Sequence, residues 1–453
     1  MVGRYKPYPE YKPSGVEWVG NIPKSWDVRP LFGAAETESR KNETGSEKNV
    51  LSLSYGNIVD RDVETNFGLL PASFNTYQLV EPGEIILRLT DLQNDKRSLR
   101  VGFSKKKGII TSAYLKLVAK KHFLSEYFLY LLLHSYDTTK VFYGMGGGLR
   151  QSMKFEEMRR LPILIPPLPE QIQIAAFLDH ETAKIDTLIA KQQRLIELLE
   201  EKRQAVISHA VTKGLNPNAP LRPSGIDWLG DVPAHWEVKP LKHFSTIRYG
   251  IGEPPKYHEE GTPLIRATNI RSGRISPIGL VYVNPFEIPA NRIVWLEFGD
   301  IVVVRSGATT GDSSIIPHKY ANSIAGFDMV VRPNQCLADF LAFALLSDYL
   351  RTNQIDIEKT RAAQPHLNAE ELGNCFVLLP SEQEQVEIVD FISSKLVKLD
   401  GLVSKARVTV ALLKERRTAL ISAAVTGKID VRDWQPPQSI SDQTTETFKE
   451  VFA

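Results

Sequence analysis

The sequence predicts an α+β protein built from two similar halves, and three observations lead to this prediction. A tract of 21 residues near the amino terminus recurs 210 positions later, a helix-forming tract recurs after 214 positions, and β-type runs lie between them. The chain has 453 residues, of which 42% are hydrophobic and 24% charged, and its mean hydropathy is −0.19. This composition excludes a largely disordered protein, and the length suggests two to four domains of roughly 100 to 200 residues.

The head segment of each half is the most exact repeat. YKPSGVEWVGNIPKSWDVRPL, from Tyr11 to Leu31, matches LRPSGIDWLGDVPAHWEVKPL, from Leu221 to Leu241, at ten of 21 positions. A period of about 210 residues is too long for a solenoid and indicates a duplicated domain. Each segment keeps two tryptophans, Trp18 and Trp26 in the first and Trp228 and Trp236 in the second. We interpret them as packing residues of the repeated part, and stacking on bases is the alternative.

Two long helices are predicted, from about Pro169 to Thr212 and from about Ser381 to Thr426. Both tracts are rich in Glu, Lys, Gln, Leu and Ala, and their interiors contain no proline and only one glycine, Gly401. Apolar residues recur at spacings of three, four or seven in both helices, which predicts a coiled-coil seam. Matched lengths and stripes favour an antiparallel pair, and packing of each helix on its own globular core is the alternative. The seam residues are Leu178, Ile185, Leu188, Leu195, Leu199 and Val206 in the first helix and Ile392, Leu399, Leu402, Leu413 and Leu420 in the second.

Between these segments lie two bodies, roughly residues 32–160 and 242–373, that share a plan but little sequence. In each body we predict β-type runs followed by a short apolar helix, near Ser125 to His134 and near Ala338 to Leu350. The predicted β runs are Val50 to Val59, Gly83 to Leu89, Pro263 to Ile270 and Gly299 to Arg305. The predicted plan is a head and first body over 1–160, a central helix over 161–215, a head and second body over 216–373, a distal helix over 374–430 and a mobile tail over 431–453.

Catalytic motifs are incomplete. The loop from Gly307 to Asp312 lacks the lysine of a phosphate loop, and the glycine tract from Tyr143 to Gly148 follows a predicted helix instead of a strand. Asn284-Pro285-Phe286 lacks the second proline of the Asn-Pro-Pro-aromatic signature of amino-methylating enzymes, and His180-Glu181 lacks a second histidine at zinc-site spacing. We therefore predict no active site and no metal site. A hidden enzyme is the alternative, which methyl transfer or ATP hydrolysis by the isolated chain would reveal.

Cysteine content and hydropathy indicate the cellular compartment in which the protein is expected. Two cysteines, Cys336 and Cys375, cannot form a disulfide framework, which fits a reducing compartment. Apolar runs fall short of the ~18 residues that a membrane helix needs, and the amino-terminal tract lacks the hydrophobic region of a signal peptide. We expect a cytoplasmic protein with no membrane partner.

Local basicity is the remaining functional signal. From Arg88 to Lys121 there are ten Lys or Arg and two Asp or Glu, a balance of 10 − 2 = +8, against 55 − 53 = +2 for the chain. Such a stretch attracts phosphate groups, although a solvated loop is the alternative. The second body mixes arginines with Thr and Asn, and Arg and Asn are residue types that read guanine and adenine edges. The candidate nucleic-acid-binding residues are Arg88, Arg97, Arg100, Lys105, Lys106, Lys107, Arg150 and Gln151 in the first body and Arg266, Thr268, Asn269, Arg271, Arg274, Arg305, Arg361 and Gln364 in the second.

Several tracts, in their order along the chain, follow a known pattern. They are the heads PSGVEWVGNIPKSW and PSGIDWLGDVPAHW, the run LIRATNIRSGRI, the strand and turn GDIVVVRSGATTGD, and the junctions PPLPEQ and PSEQEQ before the long helices. In these tracts, from about Pro13 to Gly427, the sequence resembles the specificity (S) subunit of type I restriction-modification systems. The resemblance implies two target-recognition domains at opposite ends of an antiparallel helix pair, with approximate two-fold symmetry. The first body departs from the pattern, with LSLSYGNIVDRD in place of LIRATNIRSGR, which leaves its base-reading residues open.

The resemblance also implies a function. The S subunit is non-catalytic and binds a bipartite sequence in double-stranded DNA, one half-site per recognition domain. It assembles with two methyltransferase (M) subunits and two restriction (R) subunits, which use S-adenosylmethionine, ATP and Mg for adenine methylation and ATP-dependent cleavage, so we expect no cofactor on this chain. A bivalent protein-binding scaffold spaced by a coiled coil is the alternative, and the +8 stretch argues against it.

Overall fold

The computed structural model describes residues 5–63, 73–90, 92, 98–144, 153–359 and 365–436. The chain divides into two compact units, of which the first comprises residues 1–191 and 409–453 and the second residues 192–408. This division differs from the predicted plan, because each long helix contributes one end to each unit.

The first unit is built on a six-stranded sheet. Its strands and helices are β1 Tyr11–Pro13, β2 Asn21–Pro23, β3 Asp27–Pro30, α1 Leu31–Ala34, β4 Ala35–Thr37, β5 Leu51–Ser54, β6 Asn57–Asp60, β7 Gln78–Val80, β8 Ile85–Leu87, β9 Val101–Phe103, β10 Gly108–Ile110, β11 Leu115–Ala119, α2 Glu126–Thr138, a 3₁₀ turn Val141–Gly144, α3 Phe155–Met158, β12 Pro162–Ile165 and the first part of α4 Leu168–Lys213. The sheet has the order β4-β11-β8-β9-β6-β5, and β1 pairs with β2, β3 with β12 and β7 with β10. The apolar face of α2 packs against this sheet and contributes most of its buried residues to the main core.

The second unit distributes its strands over smaller sheets. Its elements are β13 Leu221–Pro223, β14 Asp231–Pro233, β15 Glu237–Pro240, β16 Ser245–Tyr249, β17 Thr262–Ile265, β18 Ile270–Arg271, β19 Arg274–Ile275, β20 Val281–Val283, β21 Ile301–Val303, β22 Ser313–Ile315, β23 Ile324–Ala325, β24 Met329–Pro333, α5 Ala338–Leu346, α6 Asp348–Leu350, a π-helical turn Arg351–Ile355, α7 Asp356–Lys359, α8 Ala369–Asn374, β25 Phe376–Leu379 and α9 Glu382–Val425, of which the part through Val408 belongs here. Short 3₁₀ turns lie at Leu241–His243, Ala267–Asn269, Pro285–Glu287, Ala290–Arg292 and His318–Tyr320. One sheet has the order β16-β24-β21-β22 and another β20-β17-β23, while β13–β14, β15–β25 and β18–β19 form pairs.

The repeated tryptophans explain how each head attaches to a long helix. The indole nitrogen of Trp26 donates to Glu170 Oε1 over 2.8 Å, and that of Trp236 donates to Glu384 Oε2 over 3.0 Å. Both indoles are buried. The interpretation of these two tryptophans as packing residues is therefore confirmed. Trp18 and Trp228 are close to half-exposed, so burial does not account for them in the same way.

The glutamine after each of these glutamates fixes the body. Gln171 Oε1 accepts from the backbone N–H of Ser125, at the start of α2, and Gln385 Oε1 accepts from that of Leu337, at the start of α5, both over 2.8 Å. Each glutamine amide also donates to a proline carbonyl just before its own helix, at Pro166 or Pro380. The Glu-Gln pairs of PPLPEQ and PSEQEQ thus join head, body and helix in each unit. We call the heads and the two long helices the frame.

The predicted bounds of the long helices agree with the structure to within one residue at each end. In the first unit Arg417 of α9 pairs with Asp186 of α4, and in the second Arg407 pairs with Glu200 and Arg203 lies near Asp400, so the two helices run antiparallel within each unit. The predicted seam is only partly buried. Leu188, Leu195 and Leu402 are exposed, because a straight helix of 3.6 residues per turn drifts away from a seven-residue stripe.

Two further predictions need correction. The run from Val50 to Val59 is a hairpin and not one strand, because Tyr55 and Gly56 form its turn with φ of 46° and 81°. The tail predicted as mobile from residue 431 is packed at its start, since Val431 is buried and the Trp434 ring contacts Phe177 edge-on with centroids 5.5 Å apart. The remainder, residues 437–453, lies outside the described residues.

Candidate nucleic-acid interface

The three lysines predicted to attract phosphate form the turn between β9 and β10. All three are exposed, and the Ser104 hydroxyl donates to the Lys106 carbonyl over 2.7 Å to close the turn. Lys106 pairs with Asp60 of β6, and this contact lowers the pKa of the Asp60 carboxyl. Lys107 Nζ lies 3.4 Å from Glu81. Lys105 forms no such ion pair among the described residues.

Carboxylates from other segments neutralise much of the +8 stretch. Lys116 is buried and donates to Glu84 over 2.9 Å and to the Leu79 carbonyl over 3.0 Å. Lys120 pairs with Glu36 and Lys121 with Glu126. The linear charge count therefore overstates the positive surface, because these acids come from outside the stretch.

Arg88 and Arg100 differ in their access to a ligand. Arg100 is completely buried, its guanidinium donates to the Thr90 carbonyl over 3.0 Å, and its backbone N–H donates to the Asp137 carboxylate. The prediction that Arg100 binds nucleic acid is wrong, since a buried side chain cannot reach a ligand. Arg88, at the end of β8, is half-buried. Arg97, Arg150, Gln151, Arg361 and Gln364 lie outside the described residues.

In the second body, Arg266 and Thr268 line a cleft of about 320 Å³, and Arg305 lies beside it against the ring of Phe327, which is part of its wall. We call this the recognition cleft. Its mostly apolar walls are Ile251, Pro254, Pro255, Tyr257, Leu264, Ala267 and Phe327, and Glu253, Arg266, Thr268, Ser306 and Asp328 supply its polar groups. Its floor requires glycine, since a Cβ at Gly326 would lie 2.8 Å from the Ile265 carbonyl oxygen. Apolar walls with a few convergent polar groups are typical of binding sites.

Two arginines are held against aromatic rings around this cleft. The Arg305 guanidinium carbon lies 3.9 Å from the Phe327 ring centroid and 4.7 Å from that of Tyr249. The Arg266 guanidinium lies 5.2 Å from the Tyr257 ring centroid and donates to the Gly279 carbonyl over 2.8 Å. Arginines held in this way are pre-organised, so less entropy is lost when they bind a planar acceptor.

Asp328 supplies a carboxylate to the same cleft. It is buried, and burial raises its pKa, although backbone N–H groups of Arg305 and Ala267 partly oppose that shift. The carboxylate can accept from an amino group in the cleft. Thr268, at the rim, is exposed.

Asn269 is not part of this surface. Its side chain is buried, where the amide donates to the Ser276 carbonyl over 3.1 Å and accepts from the Arg266 N–H over 3.2 Å. The prediction that Asn269 reads a base edge is therefore wrong, because both sides of its amide are used to shape the loop.

Arg271 and Arg274 lie on the β18–β19 turn. Both are exposed, but Arg274 pairs with Asp400 of α9, so its charge is shared with the frame. They line a different groove from that of Arg266 and Thr268.

The sequence analysis missed the aromatic part of the recognition cleft. Tyr257 and Phe327 line the cleft, Tyr249 contacts Arg305 beside it, and each of the three rings is about 45% exposed. The tract YGIGEPPKY, with two tyrosines around glycines and prolines, contains a usable signal because such loops expose aromatic residues. Phe327 has no comparable signal beyond the glycine before it.

No helix among the described residues is long and apolar enough to cross a membrane. Over the same residues, His, Cys, Asp and Glu side chains form no group of three or more that could hold a metal ion.

A repeated frame that carries two different bodies, one with a cleft of arginines and aromatic rings, defines a class of two-domain recognition proteins. The family described as Type I restriction modification DNA specificity domain matches residues 94–198 and 233–400, which is more than half of the chain. The chain belongs to this family. The resemblance stated from the sequence and the predicted α+β fold class are thereby confirmed, and the alternative of a protein-binding scaffold is not favoured.

Individual relatives agree with this assignment. The chain is 24% identical over 342 residues to the type I restriction enzyme MjaVIII specificity subunit of Methanocaldococcus jannaschii, covering 73% of this chain and 76% of that one. It is 23% identical over 435 residues to the putative type I restriction enzyme MjaX specificity subunit of the same organism, covering 91% and 96%. A solved structure, described as the structural basis underlying complex assembly and conformational transition of the type I R-M system, has a similar fold, with a TM-score of 0.66 at 18% identity over 90% of this chain and 99% of that chain.

Proposed function

We propose that this chain reads a bipartite duplex DNA sequence, one half-site with each body, within a type I restriction-modification complex. The observation that supports this most directly is the contrast between the frame contacts, repeated in both units, and the bodies, which differ in sheet order and surface. The repeated frame is suited to binding the same kind of partner subunit twice. The two different bodies are suited to reading two different DNA sequences.

The partners follow from the family. DNA, methyltransferase subunits and restriction subunits are the partners of a type I specificity subunit, and the proposed assembly contains two M and two R subunits around one copy of this chain. The chain is non-catalytic, and methylation and cleavage belong to the partner subunits. We propose that S-adenosylmethionine, ATP and Mg bind those subunits and not this chain, and that the complex acts in the cytoplasm.

Within this function the recognition cleft reads the second half-site. Arg266 and Arg305 present guanidinium groups that suit guanine edges, and the exposed faces of Tyr257 and Phe327 provide apolar contact for bases. In the first body, Lys105 makes a phosphate contact that carries no sequence information.

The test is methylation mapping in a host that carries this gene with its M and R partners. The wild-type complex should methylate a motif of two short specified halves separated by unspecified positions. Arg266→Ala should relax the motif at one or two positions of a single half, since a lost bidentate contact costs about 1–3 kcal/mol of discrimination.

The control is Lys242→Ala, because Lys242 is an exposed cation of the same body that donates to Asn374 over 2.8 Å, and neither residue lines the recognition cleft. It should leave the motif unchanged. A single uninterrupted motif, or relaxation of both halves by Arg266→Ala, would contradict the division of reading between the bodies.

A further inference from the structure

Each unit contains an arginine of one long helix beside an aspartate of the other. In the first unit Arg417 Nε lies 2.9 Å from Asp186, and in the second Arg203 Nε lies 4.0 Å from Asp400. The two pairs correspond exactly under the 214-residue repeat. The first unit therefore serves as an internal reference for the second.

The second unit adds arginines to this pair. Arg274, from β19, forms an ion pair with the same carboxylate of Asp400, and the Arg203 guanidinium donates to the carbonyl of Ser272 in the adjoining turn over 3.4 Å. Arg271, from β18, is exposed and forms no ion pair among the described residues. Asp400 therefore pairs with two arginines, whereas its counterpart in the first unit, Asp186, pairs with one.

These residues line a groove of about 570 Å³ between the β18–β19 turn, α4 and α9, all within the second unit. We call it the arginine groove. Its charged residues are Arg203, Arg271, Arg274, Arg407, Glu200 and Asp400, a balance of 4 − 2 = +2. Arg407 is neutralised by Glu200 at 3.0 Å, so the surplus lies on Arg203, Arg271 and Arg274 around Asp400.

The surplus positive charge around Asp400 has an electrostatic cost. Burial lowers the pKa of the Arg203 guanidinium, the charge of Arg274 lowers it further, and Asp400 only partly offsets both. Like charges held together in a partly desolvated groove are stabilised when an anion enters. Guanidinium groups bind phosphate oxygens in two-pronged fashion, which makes phosphate a fitting anion.

We propose that the arginine groove is a phosphate-binding site and that its ligand is a backbone phosphate of the DNA bound by the second body. The DNA part rests on the proposed function, whereas phosphate binding does not. Arg271 and Arg274 then hold the DNA backbone, instead of reading base edges as the sequence analysis predicts, and the recognition cleft does the reading. Because Arg203 belongs to α4, the bound phosphate also touches the frame.

Inorganic pyrophosphate tests the site without DNA. Calorimetric titration of the full chain at low salt should show binding that Arg271→Gln weakens about tenfold, the effect of losing a charge-assisted hydrogen bond. Arg194→Gln is the control, because Arg194 is an exposed arginine of α4 in the same unit that lies outside the groove and pairs with Glu197 over 2.8 Å. It should change the affinity less than twofold. Absence of binding to the wild-type chain, or equal loss in both variants, would overturn the site.

Duplex DNA tests the source of the phosphate. For the assembled complex, Arg271→Gln should lower the slope of log K against log salt by about 0.9, the value for one phosphate contact, while Arg194→Gln leaves the slope unchanged. If pyrophosphate binding falls but the slope does not, the groove binds a free phosphate compound and the DNA assignment is overturned. If the wild-type complex binds no duplex, the proposed function fails, and the pyrophosphate titration still decides the site.

Discussion

The two units attach different bodies through the same contacts. In each, a buried tryptophan of the head donates to a glutamate in the first turn of a long helix, and the glutamine after it accepts from a backbone N–H at the start of a body helix. The body of one unit is a six-stranded sheet, and that of the other has sheets of four and three strands. The frame therefore constrains only where a body is attached and leaves its sheet free to change.

A hairpin turn with the same backbone conformation occurs in both bodies but makes different contacts. Tyr55-Gly56 and Ser272-Gly273 both have two successive residues with positive φ, 46° and 81° in the first and 42° and 88° in the second. In the second unit this turn contacts α4 through the Ser272 carbonyl, whereas in the first Tyr55 is 71% exposed. The same backbone turn thus anchors one body to the frame and presents an aromatic ring in the other.

The largest effect should come from the frame glutamates. Glu170→Ala should lower the free energy of unfolding of the first unit by about 3 kcal/mol, because it leaves both the Trp26 indole and the Tyr8 hydroxyl without their acceptor in a buried site. Glu384→Ala should cost the second unit about 1–2 kcal/mol, because the Glu384 side chain is 23% exposed.

Hydrogen exchange in the two head segments measures these losses separately. Glu10→Ala, which breaks an exposed pair with Lys24, should have almost no effect and is the control. A larger loss for Glu384→Ala than for Glu170→Ala would contradict the ranking.

Substituting the glycines that follow the long helices should also destabilise the first unit more than the second. Gly427 and Gly214 have φ of +70° and +72°, so alanine is strained at both by about 1 kcal/mol. A Cβ at Gly427 would also lie 2.3 Å from Pro23, whereas at Gly214 the nearest atom, 3.1 Å away, ends the flexible side chain of Glu384. Thermal unfolding should show a loss of about 2–3 kcal/mol for Gly427→Ala and about half of that for Gly214→Ala, and equal losses would show that the proline contact relaxes freely.

A difference in pH response follows from His134 of α2. Burial, with the charge of Arg417, lowers its pKa from 6.5 to about 4. Because the pKa is lower in the folded state, the stability due to neutral His134 is fully present above pH 6.5 and is lost as the pH falls toward 4. Leu346, at the matching position of α5, cannot titrate.

Between pH 7 and pH 5 this histidine should cost the first unit about 1–2 kcal/mol. Urea unfolding of wild type and of His134→Leu at both pH values isolates the contribution, and the difference between the two proteins should grow at pH 5. A difference that is constant with pH would mean that folding does not shift the pKa of His134.

The smallest effect should come from the lysine turn. Lys105→Ala should weaken binding to every duplex about equally and lower the salt slope by about 0.9, because a free lysine contacts phosphate without reading sequence. Lys107→Ala should change the slope less, because Glu81 already shares its charge. Equal changes for the two lysines would show that pairing with Glu81 does not persist in the complex.

The sequence predicts the frame better than the bodies, and the reason is physical. Both long helices follow from propensity and from the absence of breakers, and the repeated tryptophans and Glu-Gln pairs indicate contacts that had to be made twice. The exposed seam residues Leu188 and Leu195 show the limit, since periodicity gives the stripe but not how far the partner helix covers it.

Residue type alone predicts the site poorly. Arg100 and Asn269 are of types that bind nucleic acid, yet both are buried and bonded to their own chain, which depends on the fold around them. Several lysines of the +8 stretch form ion pairs with acids that lie outside it in the sequence. Arg266 and Arg305 are half-buried at or beside the recognition cleft, and the rings that contact them come from other segments of the chain. That they read bases stays a prediction.

The order of segments along the chain has a consequence for synthesis on the ribosome. The second unit is one continuous segment, whereas the first needs residues from 409 onward, including Leu420, Ile421 and Val425 of its core. At about 5–20 residues per second, the 217 residues of the second unit, 192–408, separate the two parts of the first by roughly 10–40 s. During that time the head around Trp26 lacks the last turns of α9, which complete its core. The unit that is synthesised first is therefore completed last.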